Sequence, residues 1–205
     1  MKKSAVVLKI CRTGIVMALL FGGLAVAAGA QAATVTVEKV QQPRLEPRDE
    51  PGSYLKITID QQVYHMALLG DWRILMDYGG MDVAAMPAKG GASFVGLKVE
   101  KCVDKNGKPL KTIPPELVES WLAKLKPKEA RYEGADPDLS KPATQVDIAF
   151  TRFSEKEAWK CQYQLRLMDR ELWVFACEIG PFGDNEALNH YASLTTTFRK
   201  VSSTP

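Results

Sequence analysis

The chain has 205 residues, of which 27 are basic and 24 are acidic. The first 33 residues hold four of the basic side chains and no acidic one, so the remainder carries 23 basic against 24 acidic residues and is nearly neutral. This balance disfavours a nucleic-acid or anionic-membrane partner, because both require a basic patch or stripe.

The N-terminal segment has the three-part pattern of a secretory signal. A basic start is followed by an uncharged apolar run over 13–28 and then by Ala30-Gln31-Ala32, an A-x-A match to signal-peptidase sites. We predict a signal peptide over 1–33, cleaved after Ala32 or Ala33. The run is shorter than the roughly 20 apolar residues that span a bilayer, so no membrane span is expected after cleavage. The predicted location is the periplasm, with full secretion as the alternative.

The next segment, 34–53, is predicted to be an N-terminal arm or linker. Its first residues alternate apolar and polar side chains, which fits either a short strand or a loose arm, and residues 41–53 are rich in proline and charge. A single domain is predicted over 54–205, beginning with a strand of regular period-2 alternation from Tyr54. Further strands are predicted over 72–75, 81–86 and 93–103.

Residues 114–126 have the clearest helical pattern in the chain. Two prolines stand at the start, lysines stand in the last turn, and the stripe that contains Val118 and Trp121 is apolar. Three strands are predicted after it, over 145–153, 158–168 and 172–179. The last of these is uniformly apolar, as a central strand covered on both faces would be.

A final helix is predicted after Asp184, which is placed as its cap. Its predicted buried face consists of Leu188, Tyr191, Ala192, Thr195 and Phe198. His190 is predicted to be a surface residue. The order of strands, helix, strands and helix predicts the α+β class, in which helices pack against a central antiparallel sheet.

The cysteines after the signal are Cys102, Cys161 and Cys177. An exported chain meets an oxidising compartment, which favours a disulfide, and an odd number leaves one thiol over. A hairpin centred on Asp169 places Cys161 opposite Cys177, so this pair is the preferred bridge. A bridge from either of them to Cys102 is the open alternative.

The remaining side chains point to two classes of site. A hydrolase would use His65 with an unidentified nucleophile, but no sequence motif for catalysis, a cofactor or a metal is present, and we predict none of these sites. The second class is a cleft that binds an apolar ligand or partner, because methionine gives adaptable contact surface, although the same residues also fit ordinary core packing. The candidate cleft residues are Trp72, Met66, Met76, Met81 and Met86.

Short motifs along the chain resemble the PsbP/Mog1/DcrB-like group. They are Gly70-Asp71-Trp72-Arg73-Ile74, the strand–helix order around 116–125, and the ending from Tyr191 to Phe198-Arg199. The resemblance implies a central antiparallel sheet sandwiched by helices. Members of the group serve as assembly factors, GTPase-binding factors, chaperones and exported proteins, so it implies no activity.

These observations together predict an exported, non-enzymatic protein that binds another protein, as an adaptor, assembly factor or toxin-neutralising partner. The first alternative is a carrier of a small apolar or lipid ligand, and the second is the hydrolase that uses His65. No cofactor is expected.

Overall fold

The computed structural model describes residues 35–41, 53–59, 61–68, 72–88, 91–104, 106–126, 128, 130–154, 157–168, 170–181, 183 and 186–201. The predicted signal peptide lies outside these residues. The described residues divide into two compact units, one formed by those up to Met66 together with those from Phe198 onward, and one formed by those within Ala67–Thr197.

The elements are numbered along the chain. In the first part they are β1 (Val35–Gln41), β2 (Ser53–Ile59), β3 (Gln62–Leu68), β4 (Trp72–Tyr78), β5 (Met81–Pro87), β6 (Phe94–Lys101) and α1 (Pro115–Leu125). In the second part they are β7 (Arg131–Glu133), β8 (Gln145–Ser154), β9 (Glu157–Met168), β10 (Glu171–Ile179), α2 (Glu186–Thr197) and β11 (Arg199–Val201).

The smaller unit is built on a four-stranded sheet in the order β1-β2-β3-β11. The alternation from Tyr54 buries Leu55 and Ile57, as period 2 requires, and Tyr64 stacks on Phe198 with ring centroids 5.2 Å apart. The first part of the predicted arm is strand β1, antiparallel to β2 along its whole length. The rest of that arm, residues 42–52, lies outside the described residues. The predicted division of the chain into signal, arm and single domain stays a prediction.

The larger unit is built on a seven-stranded sheet in the order β4-β5-β6-β10-β9-β8-β7, with every described pairing antiparallel. Its fourth and central strand is β10. From Leu172 to Ile179 every residue of β10 is buried, which confirms the prediction of a central strand covered on both faces.

The two helices cover the two faces of this central strand. On one face Val118 and Trp121 of α1 pack into a core that includes Leu165 and Val174. On the other face α2 contacts β10 and β6, and the Cys177 thiol donates to the backbone oxygen of Ala187 at 3.6 Å. The predicted helix over 114–126 is therefore confirmed, with Pro114 as its N-cap residue.

Two details of the second half differ from the sequence predictions. Met168 pairs with Glu171, so the β9–β10 hairpin turns through two residues, with Arg170 at a φ of 71°. The predicted turn was centred on Asp169, which itself lies outside the described residues. The observed strand register differs from the predicted register by one residue, so the predicted cross-strand pairs are wrong. In α2 the buried residues are Ala187, His190 and Leu194, so the predicted face is rotated by about one residue.

The class prediction is met only in its coarser part. The described chain has antiparallel sheets with two helices, as expected. Strands dominate over helices, so the architecture is mainly β and matches the α+β class only loosely.

Candidate functional site

A cleft of about 330 Å³, partly open to solvent, lies in the larger unit. It lies on the α1 side of the sheet, since it shares Phe94 and Tyr163 with the core beneath α1. Its lining combines aromatic rings with charged side chains. The ring residues are Tyr78, Phe94, Trp159 and Tyr163, and the charged residues are Lys124, Arg152 and Glu178.

Local sequence patterns place each of these side chains on the same face. Because alternate residues of a strand share a face, Arg152 lies on the face of β8 that also buries Phe150 and Ile148. Glu178 follows Val174 and Ala176 on the corresponding face of β10. The last turn of α1 adds Lys124 and Leu125 at the edge of the cleft.

The chemical centre of the cleft is the carboxylate of Glu178, a residue that is only 8% exposed. Arg152 donates from Nη2 to Oε2 at 2.7 Å and from Nη1 to Oε1 at 3.5 Å. The hydroxyl of Tyr163 also donates to Oε1. Both carboxylate oxygens are thus satisfied, as a buried charge requires.

Electrostatics fixes the protonation states of the groups around Glu178. Burial opposes the charge on Arg152, but the charge and hydrogen bond of Glu178 outweigh it and raise the pKa of the guanidinium. Burial, followed by the charge of Glu178, raises the pKa of the Tyr163 hydroxyl far above its usual range. The same two causes raise the pKa of the Cys161 thiol to about 12. At neutral pH the arginine is therefore charged, and the tyrosine and cysteine are protonated.

The rings around this ion pair hold its geometry. The Arg152 guanidinium lies 5.3 Å from the centroid of the Trp159 ring, within the range of a cation–π contact. Tyr78 meets Phe94 edge to face, with centroids 5.3 Å apart. Tyr78 is 38% exposed, so it forms an accessible part of the lining.

Lys124 supplies a second cation to the cleft. It is exposed, and its Nζ lies 4.7 Å from the centroid of the Trp121 ring. Among the described residues, Lys124 forms no ion pair with a carboxylate. Its neighbour Lys126 differs, because that ammonium donates to Asp136 at 2.6 Å.

The four methionines of the predicted cleft are not brought together around Glu178. Met81 and Met86 are buried in the core beneath α1, Met76 is half-buried on β4, and Met66 is buried in the smaller unit. None of them lines the cleft around Glu178.

Trp72, the fifth of the predicted residues, is buried and also lies outside the lining of this cleft. It packs on His190 with ring centroids 3.9 Å apart and donates from Nε1 to Glu186 at 3.3 Å. His190 is only 5% exposed, so the prediction of a surface histidine is wrong. A tryptophan more than 100 positions away covers it, which no local pattern indicates.

His65 lies half-buried on β3, where its ring is 4.7 Å from that of Tyr54. It pairs with Arg199 across the sheet. Burial, then the charges of Arg199 and Lys56, lower the pKa of His65. The described contacts bring no serine or carboxylate to it as a triad would need, so the hydrolase hypothesis gains no support here.

The three predicted disulfide candidates are buried free thiols. Cys161 lies opposite Glu178, whereas Cys177 lies opposite Gln162, so the two thiols lie on opposite faces of the sheet. The preferred bridge rested on the wrong hairpin register. Cys102 follows the end of β6 and is bonded through its backbone to Arg170 and Leu110.

The sequence interpretation missed Glu178, Arg152 and Tyr163 as site residues. One signal was present, since Glu178 is the only charged residue between Leu172 and Ile179, a stretch predicted to be buried on both faces. A buried carboxylate needs a cationic or hydrogen-bonding partner, so this position alone indicates a polar cluster. Its partners Tyr163 and Arg152 are 15 and 26 positions away. The apolar pattern of the strands does not predict which residues of neighbouring strands lie beside Glu178.

No family model matches this chain, and no curated protein matches it at a significant level. Among the described residues, no group of three or more histidine, cysteine, aspartate or glutamate side chains is placed to hold a metal ion. No helix in the described part of the chain is both long and apolar enough to cross a membrane.

Proposed function

We propose that this chain is an exported, non-enzymatic protein whose cleft around Glu178 binds a segment of another protein. The signal-like N-terminus and the near-neutral remainder support export and argue for a partner other than nucleic acid. The observation that carries the binding role is the Glu178 cluster, formed by Glu178, Arg152 and Tyr163 at the centre of the cleft, in which the two charged groups pair with each other.

A cluster whose members are fixed by hydrogen bonds to one another is better suited to recognition than to proton transfer. General acid–base catalysis works best with a group whose pKa lies near the operating pH. The raised pKa values of Arg152 and Tyr163 keep both protonated at neutral pH. Arg152 is also fixed between Glu178 and the Trp159 ring, so a ligand that meets it has little side-chain entropy left to remove.

The shape of the cleft favours a protein segment over a free apolar molecule. Pockets that carry small apolar ligands bury most of the ligand surface in a cavity of about 300–1,000 Å³. This cleft has about 330 Å³, is partly open, and has charged groups on its lining. One or two side chains of an extended segment fit such a space while the rest of the segment stays in solvent. The small-ligand carrier remains the alternative.

The resemblance to the PsbP/Mog1/DcrB-like group agrees with this proposal but adds no residue to it. Binding factors and chaperones occur in that group. Because one fold carries many functions, the proposal is based on the residues of the cleft and not on this resemblance.

Site-specific photocrosslinking in the native cells tests the binding role. A photoreactive residue replaces Tyr78, which is exposed and lines the cleft, and in a matched variant it replaces Val103, which is 45% exposed. Val103 lies nine positions beyond Phe94, about 30 Å along an extended chain. We expect one discrete protein adduct from position 78 and none of the same mass from position 103.

The results that contradict the proposal are equally definite. Identical adduct patterns from both positions would contradict binding of a protein at the cleft. No adduct from position 78, in a variant that co-purifies with a small apolar molecule, would favour the small-ligand carrier instead. For export, N-terminal sequencing of the native protein is expected to start after Ala32 or Ala33. A chain that still begins at Met1 would contradict the predicted signal cleavage and export.

A further inference from the structure

The charges of the cleft do not balance. Its lining holds two cations, Lys124 and Arg152, against the single carboxylate of Glu178. The ion pair between Arg152 and Glu178 accounts for one charge of each sign. The cleft therefore presents one excess positive charge beside its rings, in a chain whose part beyond the predicted signal is nearly neutral.

Arg152 also has donors to spare. A guanidinium carries five N–H donors, and Glu178 engages only two of its nitrogens. The Arg152 side chain is 26% exposed and lines the cleft, so solvent and ligands reach it. An oxyanion that bonds to this guanidinium meets Lys124 in the same cleft.

The remaining lining is apolar. Tyr78, Phe94 and Trp159 contribute rings and Leu125 contributes an aliphatic side chain to the same space. A ligand that fits both parts has an anionic group next to an aromatic or aliphatic group. The excess charge indicates which kind of anion binds, because one excess positive charge matches the single negative charge of a carboxylate. A phosphate dianion would face the nearby negative charge of Glu178 and is normally bound by a cluster of arginines.

On the basis of the proposed function, we infer that the bound segment of the partner protein carries an aspartate or glutamate next to an aromatic or large aliphatic residue. The acid binds to Arg152 and Lys124, and the neighbouring side chain packs against Trp159 and Phe94.

Fluorescence polarisation with capped, labelled peptides tests this selectivity on the full mature protein. The probes are an acetyl-Gly-Phe-Glu-Gly-amide peptide, its glutamine counterpart, and a counterpart with phosphoserine in place of glutamate. Because hydrogen bonds to charged groups contribute about 1.5–3 kcal/mol, we expect the glutamate peptide to bind about tenfold or more tightly than the glutamine peptide. Added salt is expected to reduce this difference.

Substitutions assign the selectivity to the cleft. Lys124→Gln changes an exposed side chain and is expected to lower the preference for glutamate several-fold without affecting folding. Lys108→Gln is the matched control, because Lys108 is exposed in the turn after β6 and does not line the cleft. Arg152→Lys keeps the positive charge but loses the planar fork, and we expect it to weaken binding of the glutamate peptide as well.

The outcomes separate the two proposals. Three results would overturn the inference: equal binding of the glutamate and glutamine peptides, tighter binding of the phosphoserine peptide, or no binding of any peptide by the folded protein at millimolar concentration. In each case a crosslinked partner at position 78 would still support protein binding. A clear preference for glutamate that Lys124→Gln reduces, without any crosslinked protein, would support the anion selectivity and contradict the proposed function.

Discussion

Replacing Arg152 by methionine removes the cation from the Glu178 cluster while keeping a long side chain on the Trp159 ring. Glu178 then keeps only the hydrogen bond from Tyr163, and its charge stays in a site where the side chain is 10% exposed. Breaking a buried pair by removing one partner costs more than the pair itself contributes, because the remaining charge is desolvated and uncompensated.

The magnitude follows from burial and geometry. Loss of one partner of a buried pair costs about 3–5 kcal/mol, and the Nη2–Oε2 distance of 2.7 Å is that of a full charge-assisted hydrogen bond. Arg152 is about one quarter exposed and Glu178 retains one donor, so we expect a loss somewhat below this range, about 2–4 kcal/mol of unfolding free energy at pH 7. For a chain of this length each kcal/mol corresponds to about 2–4 °C in Tm.

Urea unfolding followed by circular dichroism measures this loss, and a double-mutant cycle tests its cause. Glu178→Gln in the Arg152→Met background is expected to recover at least about 1 kcal/mol, because it removes the stranded charge. Arg131→Met is the matched control: the side chains of Arg131 and Glu133 are 73% and 56% exposed, so it should cost under about 0.5 kcal/mol.

Two results would refute this reasoning. One is an Arg152→Met variant no less stable than Arg131→Met. The other is a double variant no more stable than Arg152→Met alone, which would show that the charge of Glu178 is not the source of the loss.

Two other predictions concern the core. Gly96→Ala is expected to lower the free energy of unfolding by about 1–3 kcal/mol, because a Cβ at Gly96 would lie 2.5 Å from the Cγ of Met81. In a Met81→Ala background the same substitution should cost less free energy. Strictly additive losses in the double variant would contradict this account. Burial raises the pKa of Cys161 and of Cys177 from 9.0 to about 12, so their stabilisation is complete below pH 9 and decreases as the pH rises toward 12. Between pH 8 and 10 the two thiols should lower the free energy of unfolding by about 2–3 kcal/mol. A variant with both cysteines changed to alanine should show a correspondingly flatter pH dependence in parallel urea titrations. An unchanged slope of the unfolding free energy against pH would contradict buried thiols.

The sequence predicted those parts of the fold that depend on short-range pattern. The helix over 114–126 and the strands around 145–179 were placed within a few residues, because apolar periodicity reports directly on which face is buried. The central position of β10 followed from its lack of alternation. These features need no knowledge of what lies across the sheet.

The failures all depend on long-range contacts or on one backbone conformation. The register of the β9–β10 hairpin depends on Arg170, a non-glycine residue at a positive φ that residue type does not indicate. The burial of His190 depends on Trp72, and the cleft depends on Arg152 and Tyr163 meeting Glu178. The wrong register then led to the wrong cysteine pair, since a slip of one residue moves every side chain to the other face.

The path of the chain through the smaller unit has a consequence for synthesis. β3 ends at Leu68, and β11, its neighbour in the sheet, begins only at Arg199, after the whole of Ala67–Thr197 has been made. Closing a loop of this length costs roughly 4 kcal/mol of chain entropy. A ribosome therefore releases all strands of the seven-stranded sheet before the last strand of the four-stranded one, and a truncation just before Arg199 removes β11 while keeping every residue of the cleft.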